Sequence, residues 1–495
     1  MDSTATPSVS GYYIRGETGL WKMVIGLEIH AQIKAATKLF SPAATSFGES
    51  PNTSVSIIDA AIPGTLPIIN QECVDQAIRS GLAIHGNINL HSMFDRKHYF
   101  YCDLPSGYQI TQYQHPIVSG GHLEISLPDH ATKSVAIERI QLETDSGKSL
   151  HDQHASMTFV DLNRVGSALM EIVSMPDMSS PVEAGNFVKK LQLLLKHIGT
   201  CDGNMEEGSL RCDANVSVQP IDSAKWGTRC EIKNLNTIKG VIRAIEFEAH
   251  RHVALLESGG KITQETRFYD PASRSTSVGR KKEDELDYRF FPEPDLPHLI
   301  FEQAHVDQIA STLPELPDQV LHRLLTQYQL TPYEADVISN HTGAHIYFEQ
   351  VAKGRDPKEV ASWIMNEIFA HLKGSNIAHS PVAATELGEL LDIIKKGLIS
   401  GRIAKDILEL KFSGDKRSPL EIVNAMGLVQ VTDVSDLENM CKEVIAASPN
   451  EVAQLRAGRD RVMKHFVGEI MKKTKGKASG PVVTEIFKRL IVDSQ

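Results

Sequence analysis

Between Val24 and His30 the chain reads Val-Ile-Gly-Leu-Glu-Ile-His, an apolar run broken by two polar residues two positions apart. Read as a strand, it sends Leu27 and Ile29 to one face and Glu28 and His30 to the other, because side chains alternate along extended backbone. One face packs, and the other is available for chemistry. The period of two returns from Leu210 to Val218, placing Arg211, Asp213, Asn215 and Ser217 together, and again from Thr228 to Asn236. Short Val/Ile/Leu runs punctuated by Gly, Pro and Asn, such as Ile57 to Gly64, continue to about residue 300. They predict strands joined by turns in a mixed α/β body.

Beyond residue 300 the pattern changes to helix starts. Thr331-Pro332-Tyr333-Glu334, Asp356-Pro357-Lys358-Glu359, Ser418-Pro419-Leu420-Glu421 and Ser435-Asp436-Leu437-Glu438 all have the capping-box form, three with Pro at the first helical position. Gly374 and Gly397 follow Lys-rich ends, as helix C-termini do. A helical C-terminal third follows, with a linker near Pro314 to Pro317 and a further boundary near Gly427.

Composition narrows the class. The chain has 495 residues, 41% hydrophobic and 23% charged, which is room for roughly three domains. No apolar run of about 18 residues occurs, so no membrane span is expected, and the first twenty residues lack the apolar stretch of a secretory signal. Six cysteines without a C-x-x-C pair argue against a zinc ribbon or a disulfide framework and for reduced thiols. A net charge of −11 does not suit a general nucleic-acid binder, but from Glu451 onward basic residues outnumber acidic ones about two to one.

The chemistry is concentrated in the first part. Glu28 and His30 on one strand face suit a hard divalent cation if further oxygens arrive from elsewhere; a plain Glu–His hydrogen bond is the structural alternative. Phe94 to Tyr101 places Asp95, Arg96, Lys97 and His98 between aromatics, which implies paired charges or a groove. Gly147-Lys148-Ser149 imitates the end of a phosphate loop, but Leu142 stands where that loop needs Gly, so no Walker cradle exists. Glu143 and Asp145 remain as oxygen donors, whereas Asp161 and Glu171 read as ordinary paired surface carboxylates.

These segments carry a resemblance. GLEIH, FDRKHYFYCDLPSGYQITQ (94–112), ETDSGKS, MEEGSLRCDANVSV, EIKNLN and DYRFFPEPDLP (287–297) resemble, in the same order, the GatB family, the B subunits of tRNA-dependent glutamyl/aspartyl amidotransferases. The likeness runs from about residue 22 to the C-terminus. It implies an α+β protein: a flexible N-terminus over 1–21, a cradle-like catalytic domain over 22–300, a helical domain over 301–427 and a tRNA-contacting helical tail over 428–495. It implies that ATP phosphorylates the side-chain carboxylate of misacylated Glu-tRNA(Gln), and that ammonia from an amidase partner displaces the phosphate. Partners are then the amidase subunit, a small stabilising subunit and the tRNA, with no membrane and no DNA.

In that frame Glu28, His30, Glu143, Asp213 and Glu231 are the catalytic candidates, the first four as Mg2+ ligands. Lys97 and Arg211 are expected at phosphate, with Asn234 and Asn236 orienting substrate. In the tail, Val462, Met463, Phe466, Val467, Ile470 and Met471 recur at helical spacing and leave Arg461, Lys464, Lys472 and Lys473, with Lys475 and Lys477 beyond, for tRNA phosphates. One departure stands out: Thr144 occupies a position that is acidic in bacterial members, where it is thought to line the ammonia path. Mitochondrial members share that loss, so a mitochondrial matrix protein is expected, with a bacterial cytoplasm as the alternative. No G-x-S-x-G elbow, amidase Gly/Ser signature or nucleophilic Cys setting appears, so glutamine hydrolysis is expected in the partner. Two other classes fit the same carboxylates and basic tail: a metal-dependent phosphohydrolase or nuclease, and a non-enzymatic tRNA scaffold.

Overall fold

The structure, a computed structural model, describes residues 12–127, 131–281, 287–373, 375–428, 434–456, 460–474, 478 and 480–492. It divides into two compact units, Met1–Leu316 and Pro317–Gln495. The division falls at the linker expected near Pro314 to Pro317, beyond the domain bound of 300, because Val306 and Ile309, on the helix Gln303–Ser311, and Leu316 are buried in the first unit's core.

The first unit is built on one mixed sheet of 11 strands. Its principal strands are β1 (Leu20–Gln32), β2 (Thr132–Thr144), β3 (Ala168–Ser174), β4 (Leu210–Pro220), β5 (Cys230–Leu235), β6 (Glu265–Asp270) and β7 (Ser275–Lys281), in the spatial order β7-β6-β5-β4-β1-β3-β2. All neighbours in that order are antiparallel except β5 and β6. β1 alternates without a break, burying Trp21, Met23, Ile25, Leu27, Ile29 and Ala31. Each large apolar side chain on that face is worth about 2 kcal/mol.

Three helices share the core with this face: α1 (Gln71–Ala83), α2 (Pro181–His197) and α3 (Ile238–Glu257). Each starts on a side-chain cap, Asn70, Ser180 and Thr237 respectively, which satisfies a free N–H of the first turn. Gly185 sets the α2–α3 approach, since a Cβ there would lie 2.6 Å from Ile242 Cδ1.

Ile57 to Gly64, expected as strand and turn, forms turns only. The loop is instead organised by a buried ion pair: Lys38 Nζ donates to Asp59 Oδ2 at 3.0 Å and to Ser54 O at 2.8 Å. The expected flexible N-terminus is also corrected. Residues 1–11 lie outside the described residues, but Ile14–Arg15 pairs with the start of β1. The Glu257 carboxylate accepts from Glu17 N, Thr18 N and Thr18 Oγ1 at 2.7–2.8 Å and from Trp21 Nε1 at 3.2 Å.

The second unit is helical, which completes an α+β chain. It holds two separate cores, one over Val320–Val423 and one over Leu437–Ile491. Thr331 and Ser418 form the expected capping boxes, whereas Asp356 caps through Lys358 N alone. The helix Val434–Ala447 begins before Ser435, so that residue is not its cap. Gly397 closes the helix Ala384–Lys395 at φ 70°.

Candidate active site on the polar face of the sheet

The antiparallel register decides which polar residues meet. His30 lies opposite Arg211 on β4 and Glu171 on β3, Glu28 lies opposite Asp213, and Glu171 lies opposite Gln141 on β2. Neighbours in register share a face, so the polar side of the sheet collects one continuous charged surface. His30 Nε2 stands 3.4 Å from Glu143 Oε1, 3.7 Å from Glu28 Oε1 and 3.9 Å from Glu171 Oε2. Gln141 Nε2 donates to Glu171 Oε2 at 2.9 Å, and Thr111 Oγ1 donates to Glu143 Oε2 at 3.3 Å.

Burial opposes a charged imidazole at His30, but Glu143, Glu171 and Glu28 outweigh it and lift its pKa to about 9. Glu143 is pushed up by burial, yet the hydrogen bond and charge of His30, with Lys97 behind them, hold it well below the carboxylate range. Glu171 moves the other way, raised by burial and then by Glu143 and Glu28. Two adjacent buried carboxylates do not both ionise, so Glu171 keeps its proton beside an ionised Glu143.

Next to this cluster lies an ion-pair ladder. Lys233 Nζ sits 2.5 Å from Asp213 Oδ2 and 3.1 Å from Glu231 Oε1, and Thr266 Oγ1 donates to Glu231 Oε2 at 2.8 Å. Arg211 Nη2 donates to Asp145 Oδ2 at 2.7 Å, while Arg164 Nε lies 3.3 Å from the same oxygen. Arg211, Asp213, Asn234 and Asn236 line a cavity of about 580 Å³, together with Lys148, Arg164 and the Thr45–Glu49 loop. That volume suits a nucleotide-sized ligand.

The expected residues therefore separate into two groups. Glu28, His30 and Glu143 meet in the cluster; Arg211, Asp213, Asn234 and Asn236 meet at the cavity. Glu231 is held in the ladder by Lys233 and Thr266. Lys97 is not among the cavity-lining residues: its Nζ lies 4.9 Å over the Tyr288 ring, and its charge acts on Glu143. Asn234 adopts φ 68° and its Nδ2 donates to Tyr269 O at 2.9 Å, so half of its amide is already committed.

Of the expected metal set, ligand atoms of Glu28 and His30 lie with one of Glu171 within 4.8 Å of one another, Glu143 Oε1 stands 3.4 Å from His30 Nε2, and Asp213 is paired with Lys233. Glu171 is 6% exposed and is no surface carboxylate. Its signal is a lone acid inside Ala-Leu-Met-Glu-Ile-Val-Ser, where every neighbour is apolar or small. Lys233 escapes sequence reasoning because a lysine in an alternating strand reads as a solvated face. Cys230, Glu248 and His252 form a second compact set, but Arg251 and Arg267 ion-pair with Glu248 and burial lifts Cys230 to about 11, which makes it a salt-bridge network.

In the tail, Phe466 and Ile470 are buried and Arg461, Lys464, Lys472 and Lys473 are exposed. Lys472 pairs with Glu469 at 2.7 Å and Lys473 with Glu443 at 2.8 Å, contacts too exposed to bind strongly. Lys475 and Lys477 lie outside the described residues.

A family model described as the GatB/GatE catalytic domain matches residues 23–307, and one described as a GatB domain matches residues 346–491. The chain belongs to the GatB family. A protein of Paramagnetospirillum magneticum is 52% identical over 97% of this chain and 99% of its own length. One of Rhodospirillum rubrum is 49% identical over 96% and 99%, and one of a Methylobacterium species 51% over 99% and 99%. All three carry the name of the B subunit of an aspartyl/glutamyl-tRNA(Asn/Gln) amidotransferase. As a GatB subunit the chain is part of a tRNA-dependent amidotransferase, a ligase that forms carbon–nitrogen bonds.

These relatives are bacterial, which favours the bacterial alternative over the mitochondrial matrix expected from Thr144. In this GatB chain the Thr144 hydroxyl accepts from Ile110 N at 3.2 Å, so it ties two strands together. No helix among the described residues is long and apolar enough to cross a membrane.

Proposed function

We propose that this GatB chain uses ATP to phosphorylate the side-chain carboxylate of Glu-tRNA(Gln), and that ammonia from a partner amidase then converts the acyl phosphate to the amide. The observation that carries this reading is the shared polar face, where the Glu28–His30–Glu143–Glu171 cluster adjoins a cavity lined by Arg211, Lys148 and Asn236.

Mg2+ fits the cluster. Two hard oxygen donors and an imidazole converge, and the surplus of carboxylate, which keeps a proton on Glu171, is charge that a divalent cation balances. Glu28, His30 and Glu171 would hold the ion, with Glu143 beside them, and the ion would supply charge neutralisation at the phosphoryl group. The chain's own residues do the rest. Arg211 and Lys148 meet phosphate oxygens at the cavity wall, Arg as a planar fork and Lys as a point charge. Asn236 orients the substrate, and His30, with Lys97 behind it, keeps Glu143 ionised. A carboxylate oxygen of the substrate attacks the terminal phosphorus of ATP as the bond to ADP breaks; ammonia then attacks the acyl carbon and phosphate leaves. Such an acyl phosphate survives only if water is kept out, which calls for a docked amidase partner, held in place by the small stabilising one. The relatives' names also carry Asp-tRNA(Asn), which differs by one methylene, and we extend the proposal to it. The compartment in this reading is a bacterial cytoplasm.

The test compares ATP cleavage in the presence of Glu-tRNA(Gln), deacylated tRNA and no tRNA. Stimulation by the charged species alone is expected. ATP cleavage indifferent to tRNA would point to a phosphohydrolase, and tRNA binding without ATP cleavage to a scaffold.

A further inference from the structure

Five aromatic rings follow one another beside the carboxylate cluster. Tyr101 meets Tyr99 edge-on at 5.8 Å between centroids, and Tyr99 meets Tyr288 at 6.3 Å. Tyr288 meets Phe290 at 6.0 Å, and Phe290 stacks on Tyr113 at 4.2 Å. A core would cover such a series, but here both ends open to solvent. Tyr101 is 58% exposed, Tyr113 54%, and Phe100, beside Tyr101, 76%. Exposed large rings in a cluster mark a binding surface more often than scattered ones do.

The loop carrying Phe100 and Tyr101 is held in place. Tyr99 N donates to Gly107 O at 3.2 Å, Leu104 N to Tyr101 O at 3.1 Å and Gly107 N to Leu104 O at 3.0 Å, and the Leu104 side chain is buried. Gly107, at φ 72°, leaves room for the Phe100 ring: a Cβ there would lie 3.0 Å from Phe100 Cε1. The rings are thus presented on a fixed frame, which lowers the entropy lost on binding. The same loop touches the site. Gly147 N donates to Asp103 O at 2.8 Å and Ser149 Oγ to Asp103 Oδ2 at 3.2 Å, on either side of Lys148 in the cavity wall. A cation is present too, with Lys97 Nζ 4.9 Å over Tyr288.

We propose that these rings form a stacking platform for the unpaired bases at the 3′ end of the aminoacyl-tRNA, with Phe100 and Tyr101 taking the terminal base. The inference rests on the reading of the chain as part of a tRNA-dependent amidotransferase. The amino acid is esterified to the terminal ribose, so a base must lie within one glutamyl chain of the cluster whenever the carboxylate is there. Stacking is tolerant of sequence, because every base has a π-face, and that suits an end common to all tRNAs. ATP brings a single base, whereas exposed rings stand at both ends of the series, Phe100 and Tyr101 at one and Tyr113 at the other.

The test uses the full-length chain in its assembled enzyme, with a tRNA carrying 2-aminopurine in place of the terminal adenosine. Quenching of 2-aminopurine on binding is expected for the wild type and for Tyr101→Phe, and its loss for the Phe100→Ala/Tyr101→Ala pair. The pair should raise the KM for charged tRNA roughly tenfold or more, with the loss falling on that constant and not on the KM for ATP. An unquenched wild-type complex, or an unchanged KM for tRNA in the pair, would overturn the proposal. A rise in the KM for ATP alone would assign the rings to the nucleotide's adenine and overturn it equally. Whether ATP cleavage needs charged tRNA at all is settled by the wild-type rate, so failure of the underlying reading shows separately.

Discussion

Replacing Lys38 with methionine should destabilise the first unit by about 3 kcal/mol, toward the lower end for breaking a buried ion pair. The Lys38 side chain is fully buried, and Asp59 is 6% exposed. With the ammonium gone, Asp59 still accepts from Ser41 Oγ and Ser56 N, each at 2.8 Å, so its stranded charge is partly satisfied. Asp59→Asn is the worse perturbation, since it removes the hydrogen-bonded charge facing the ammonium and leaves the weaker pull of Asp161. Burial already pulls the Lys38 pKa below its ordinary value, against the pull of Asp59. Without Asp59 burial should lower that pKa further, so below the ordinary lysine pKa the unfolded chain binds more protons than the folded one. Stability of Asp59→Asn should therefore rise as pH rises toward that value, more steeply than that of the wild type. A Lys38→Met/Asp59→Leu double variant should recover to within about 1 kcal/mol of the wild type, because the intact pair repays little more than its own desolvation. Urea unfolding followed through Trp21, with Trp226 and Trp363 changed to Phe, reads the first unit. A loss under about 1 kcal/mol for Lys38→Met, or a pH-independent Asp59→Asn, would refute the reasoning.

Three further outcomes are expected. His30→Ala and Glu171→Gln should each abolish tRNA-dependent ATP cleavage while the partner still hydrolyses glutamine, and normal ATP cleavage in either would remove that residue from the proposed metal site. Glu248 is raised by burial but held down to about 2 by hydrogen bonds from His252, Arg251 and Thr276. Its contribution, on the order of 3 kcal/mol, is present above the unfolded pKa near 4.5 and lost as pH falls through about 2. Glu248→Gln should thus be less stable at pH 7, with the deficit closing in acid; a deficit constant with pH would count against the ion network. Deleting residues 430–495 removes a segment with its own core and should raise the KM for tRNA and flatten its salt dependence; an unchanged salt slope would make the tail an assembly element.

Much of the site is legible where the period of two is clean. β1 alternates throughout and β4 from Leu210 to Val216, so Glu28, His30, Arg211 and Asp213 share a face from spacing alone, whereas Ser217 is buried. Register is a non-local property, however. That Asp213 meets Lys233 depends on a register shift between β4 and β5, with Asn234 at positive φ, which no local pattern announces. Glu171 is misjudged from sequence for a related reason: a lone carboxylate among apolar residues is equally at home on a sheet edge, and only the position of β3 between β1 and β2 buries it. The linker near Pro314 to Pro317 is legible from its prolines, whereas the bound at 300 slips because the helix Gln303–Ser311 looks like its helical successors although its apolar side belongs to the first core.

The unbroken alternation of β1 also bears on what kinds of genetic change the chain can absorb. β1 is hydrogen-bonded on both sides, to β4 from Trp21 to Ala31 and to β3 from Glu28 to Gln32. A single-codon deletion between Trp21 and Leu27 that kept those ladders would turn Glu28 and His30 into the core and Leu27 or Ile29 out of it. Point substitutions on the strand are graded in their effect, but length changes are all or nothing. Insertions and deletions should therefore be excluded from this segment more strictly than its individual side chains are constrained.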